Sequence, residues 1–154
     1  MPLWVLFKTL SIGTLLRFLR CCKPDIREEV AAQFPDLREG TLCRMLDLMQ
    51  DFRNVCAQND CLYAYISPDA IPLMPAVRTT SHPGCQQRTA YCGCDLFALL
   101  IVFRYLLDED DYARCIAAID HIIGHFDRQC TTVGGASLLR VMGFPSDWEK
   151  MTLS

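Results

Sequence analysis

Arg53 is the residue whose type and position most directly raise a question of chemistry. On a helical wheel of roughly 100° per residue, Leu42, Met45, Leu46, Met49, Phe52 and Cys56 form one apolar stripe, and Arg53 falls inside it. A guanidinium on a core face needs a carboxylate or an acceptor-rich partner, or else the face belongs to a site or a subunit contact. Asn54 and Gln58, four apart, share the flank beside it. The plainer reading has a helix-end Arg53 reaching to solvent or pairing with Asp47, Asp51 or an acidic residue elsewhere.

Two other groups carry ligand chemistry. His82, Cys85, Cys92 and Cys94 offer imidazole and thiolate donors in one loop, a set that can close a tetrahedral zinc site. Their spacing lacks the usual paired C-x-x-C arrangement and Cys92-x-Cys94 is tight, so incidental loop cysteines are the simpler account. His121 and His125 are four apart and can share a helix-surface metal. They project opposite an Ile and Phe stripe, however, where a solvated pair is expected. No Gly-rich phosphate loop, Ser nucleophile elbow or carboxylate pair with a plausible base is present, and no cofactor is expected.

These residues sit on elements that the pattern marks as helical. Leu3, Leu6, Phe7, Leu10, Thr14 and Phe18 predict one helix over residues 3–20, stopped at Lys23-Pro24. A second runs from Pro24 to Phe34, and a third from about Thr41 to Gln58 carries Arg53. Residues 67–94, with Pro68, Pro72, Pro75, Pro83, Gly84 and Gly93, read as one long irregular loop. Asp95 is an N-cap for a nearly apolar, central fourth helix. Asp108 to Asp111 open a fifth, whose Tyr112, Cys115, Ile116, Ile119, Ile122, Ile123 and Phe126 make a packing face, and a short helix covers Ala136 to Met142. The expected fold is an all-α bundle of about five to six helices in a single domain spanning 1–154.

Composition agrees. A chain of 154 residues, 51% hydrophobic and 21% charged, buries a real core. A net charge of −3 argues against indiscriminate polyanion binding, while leaving room for a focal basic site, for example around Arg17, Arg20 and Lys23. Ten cysteines lie mostly within helical patterns beside ordinary core residues, which suits reduced thiols. The apolar run Leu96 to Leu107 is short for a membrane span, and no secretory leader is evident. The expectation is a soluble, cytoplasmic protein.

Several separated motifs together resemble the Abi (abortive infection, phage resistance) family of bacterial proteins. Pro2-Leu-Trp-Val, with the Leu10-Ser-Ile-Gly-Thr-Leu15 segment, looks like the family's Pro-Leu-Trp-Val and Leu-Ser-Phe-Gly-Thr-Leu. Phe52-Arg-Asn-Val-Cys-Ala-Gln-Asn-Asp-Cys-Leu-Tyr63 looks like its Arg-Asn-x-Cys-Ala-His-Asn-x-Arg-Leu-Tyr motif. Asp95-Leu-Phe-Ala-Leu, Tyr105-Leu-Leu and Met142-Gly-Phe-Pro-x-x-Trp148 match its later segments. Family members are usually longer, and the resemblance implies that this chain corresponds to their C-terminal, HEPN-like helical part.

The resemblance further implies a metal-independent ribonuclease ancestry, with Arg and His of two protomers meeting across a dimer. It assigns catalytic positions to Arg53, Asn54 and Gln58 and substrate contacts to Asn59 and Tyr63. The pattern departs where chemistry is most demanding, since Gln58 stands in place of the His and Cys61 in place of a second Arg. A carboxamide cannot exchange a proton with a ribose hydroxyl near neutral pH, and losing a general acid/base costs about 10²- to 10⁴-fold in rate. Arg53 and Asn54 retain the capacity to bind phosphate. The implied partners are RNA and a second copy or a related chain, with no membrane. The alternative is a non-catalytic interaction or regulatory module that pairs with a full-length relative.

Overall fold

The computed structural model describes residues 3–34, 37–68, 70, 71, 93–146 and 148. It is an all-α bundle of seven helices among these residues: α1 Leu3–Thr9, α2 Ile12–Cys21, α3 Pro24–Ala31, α4 Glu39–Ala57, α5 Leu96–Leu106, α6 Glu109–Gln129 and α7 Gly135–Val141. The extra helix arises because the expected helix over 3–20 is two. Ser11 is extended, with φ −69° and ψ 155°, and its hydroxyl accepts the Thr14 amide at 3.2 Å, so it caps a new helix rather than continuing the old one.

Other local signals act as the sequence suggests. Pro24 occupies the first turn of α3, where its missing amide costs nothing. The Asp95 carboxylate accepts the Ala98 amide at 2.9 Å and starts α5, and Asp108 does the same for Asp111 at 2.8 Å to start α6.

Helix α4 lies at the centre and packs against α2, α3 and α5. Its buried residues are Leu42, Met45, Leu48, Phe52 and Val55. This corrects the expected stripe: Leu48 and Val55 point inward, Leu46 and Met49 are half-buried, and Cys56 is exposed. Including Leu46 and Cys56 had turned the inferred face towards Arg53, whereas the observed face leaves Arg53 exposed on its flank. Burying Phe52 contributes roughly 1.5–3 kcal/mol, and its ring meets Tyr65 edge-on at 5.1 Å.

Helix α5 buries Phe97 through Val102 without interruption, as expected of a central element. The chain after α7 folds back on it: Phe144 lies 5.2 Å from Phe97 and meets Trp148 edge-on at 5.1 Å. Helix α6 is more peripheral, with Tyr112 alone fully buried and Ile122 58% exposed. His121 and His125 are both exposed, in keeping with a solvated pair. The ends of the long connection are pinned together, because the Ser67 amide donates to the Cys94 carbonyl at 2.8 Å and the Ile71 amide to the Gly93 carbonyl at 2.9 Å.

Candidate anion site between the second and fourth helices

The last turns of α4 carry Gln50, Arg53 and Asn54, and the first turns of α2 carry Ser11, Ile12, Gly13, Thr14 and Arg17. Together they line an open cavity of about 200 Å³. The two helices approach closely here: a Cβ built on Gly13 would lie 3.1 Å from Gln50 Oε1, so glycine at this position lets the Gln50 side chain lie against the α2 backbone.

The charges around the cavity are unbalanced. Arg53 donates to the Asn54 side-chain oxygen at 3.2 Å, and neither Arg53 nor Arg17 is ion-paired among the described residues. The carboxylates of α4 are engaged elsewhere. Glu39 meets Arg27 at 3.2 Å, Asp47 meets Arg20, and Asp51 accepts the buried Ser67 hydroxyl at 2.6 Å. Of the plainer reading, the solvent-reaching form is the one observed: Arg53 is exposed, and neither Asp47 nor Asp51 pairs with it. No carboxylate lines the cavity. Its lining combines two guanidiniums with carboxamides and hydroxyls, a donor-rich set suited to an oxyanion.

Gln58, Asn59 and Tyr63 lie outside this lining. Gln58 is the C-cap of α4, its amide donating to the Asn54 carbonyl at 3.0 Å. Asn59 adopts φ 55°, and the amides of Asn59 and Asp60 return to the carbonyls of Cys56 and Val55 at 3.2 and 3.1 Å. Asn59 thus ends the helix in the left-handed conformation that asparagine tolerates. Tyr63 is half exposed, and its hydrogen bond with Cys61 raises the phenol above its ordinary range.

Arg17 was legible as part of a basic segment, but not as distinct from Arg20, which the fold neutralises with Asp47. Ser11, Gly13, Thr14 and Gln50 were missed as site residues. The available signal was the Ser11-x-x-Thr14 capping pattern next to a basic helix, and nothing in it reveals that α2 meets the end of α4.

For the loop cluster, His82, Cys85 and Cys92 lie outside the described residues. Cys94 is buried, and that burial, with Asp95 adding to it, pushes its thiol up. Among the described residues no group of three or more His, Cys, Asp or Glu side chains is placed to hold a metal ion.

Residues 1–64 match the model of the family described as Abi-like protein. The matched stretch is less than half of the chain. It contains α1 to α4 and every residue lining the cavity. The Asp95 and Met142 to Trp148 segments lie beyond the Abi-like match. No curated protein and no solved structure matches the chain significantly. No helix among the described residues is long and apolar enough to cross a membrane.

Proposed function

We propose that this chain is a cytoplasmic, phage-defence-type protein that contacts RNA through Arg53 and Asn54, at a HEPN-like site of ribonuclease descent impaired by Gln58. The Abi-like match supports an abortive-infection-type protein. The observation that carries the RNA reading is the exposed Arg53 guanidinium, free of any carboxylate among the described residues and facing a cavity shared with a second guanidinium. Arg53 binds phosphate through its planar fork, and Asn54 holds the guanidinium at 3.2 Å. Gln58 sits one helical turn beyond Asn54 and supplies hydrogen bonds but no proton transfer. The ancestral site acted across a dimer, and this chain pairs with a second copy or a relative to bring two such helix ends together.

The test compares RNA cleavage by the native chain, Gln58→His, and Gln58→His combined with Arg53→Ala. The histidine variant is expected to gain about 10²-fold or more in cleavage rate, and the double variant to lose that gain. In binding assays, Arg53→Ala weakens single-stranded RNA affinity about tenfold or more and reduces the salt dependence by about 0.7 in slope. If RNA is neither bound by the native chain nor cut by Gln58→His, the RNA reading is wrong.

A further inference from the structure

The structure assigns the α2–α4 cavity as a phosphate-binding subsite that Arg17 lines together with Arg53. The assignment deepens the RNA reading above, but stands on its own geometry. Two guanidiniums line one cavity of about 200 Å³, and neither is neutralised among the described residues. With no carboxylate in the lining to answer either cation, the cavity favours a ligand that carries negative charge. The remaining polar lining is neutral: the carboxamides of Gln50 and Asn54 and the hydroxyls of Ser11 and Thr14. Those hydroxyls lie 2.9 Å apart and the Thr14 amide is already taken by Ser11, so the first turn of α2 offers hydroxyl groups in a fixed arrangement.

The contrast with Arg20 sharpens the assignment. Arg20 lies one turn beyond Arg17 on the same helix and is answered by Asp47 of α4. At the cavity end of the same helix pair, α4 instead presents Gln50, Arg53 and Asn54. The interface therefore changes along its length from a matched pair to an unmatched cationic pair, and a phosphate group supplies the missing charge. That group belongs either to an RNA strand or to a free nucleotide.

The experiment titrates inorganic phosphate, adenosine 5′-monophosphate and a short single-stranded RNA into the intact chain and into Arg17→Ala and Arg53→Ala. Amide resonances of Gly13 and Thr14, calorimetric affinity and ligand-free melting temperature are followed. Phosphate is expected to shift the Gly13 and Thr14 resonances. Arg17→Ala is expected to weaken phosphate-bearing ligands about tenfold or more without lowering the ligand-free melting temperature, since Arg17 is exposed and has no ion-pair partner among the described residues. Tightest binding of RNA identifies a strand as the source, and tightest binding of the nucleotide identifies a free ligand. Unmoved resonances under phosphate, or Arg17→Ala binding every ligand as the native chain does, overturn the subsite. RNA binding that needs Arg53 but not Arg17 leaves the RNA reading standing and removes this inference. Nucleotide or phosphate binding through both arginines with no RNA binding does the reverse.

Discussion

Arg17 and Arg20 differ in what faces them, and that difference is invisible in composition. Both are exposed arginines of α2, yet one meets Asp47 and the other lines a cavity with Arg53. Residue type and local spacing were enough to single out Arg53 and Asn54, but periodicity placed Arg53 on the core because it counted Leu46 and Cys56 and underweighted Leu48 and Val55. A wheel reports which residues share a face, not which neighbour covers that face. The same dependence on partners applies to the thiols. The Thr132 hydroxyl, then the Val133 and Thr132 backbone, hydrogen-bond to Cys130 and hold its thiol below the ordinary range, whereas burial raises Cys43 and Cys94. A lowered value means more thiolate at neutral pH, so Cys130 should react with iodoacetamide several-fold faster than Cys43 or Cys94. Mass-spectrometric kinetics check this, and Thr132→Val should slow Cys130 specifically. Equal rates at the three sites would refute the assignment.

At the scale of the element, helix starts were readable and helix ends less so. Asp95, Asp108 and Pro24 act as local chemistry requires, because a cap is a contact between residues three apart. The break at Ser11 was hidden because the apolar spacing of α1 runs on into α2 without losing phase. The end of α4 required Asn59 at positive φ, a conformation that sequence permits but does not announce. A stronger case is Gly143, which follows α7 at φ +89°, where a Cβ would lie 2.0 Å from a carboxylate oxygen of Asp95. Gly143 therefore joins the α7 turn to the α5 cap with no room for a side chain. Gly143→Ala should cost about 2 kcal/mol or more, measured by urea denaturation. A loss below roughly 0.5 kcal/mol would show that the contact is easily relieved.

For the whole molecule, the all-α class and the central place of α5 were legible, because an unbroken apolar run has only the interior to go to. The central role of α4 was not, since its partners α2, α3 and α5 come from both sides of the long connection. The buried core of α4 and α5 meets across that connection, and its two ends are joined by the hydrogen bonds of Ser67 with Cys94 and Ile71 with Gly93. Gly93 makes this possible: at φ +62°, a Cβ there would stand 2.7 Å from the Ile71 carbonyl. Gly93→Ala should lower unfolding stability by about 1–3 kcal/mol, measured by urea denaturation. A loss below roughly 0.5 kcal/mol would contradict the expectation. The hydrogen-bonded neck is a clasp: it ties the chain's exit at Ser67 and Ile71 to its return at Gly93 and Cys94, so α4 and α5 are held in register by backbone bonds as well as by the core they share.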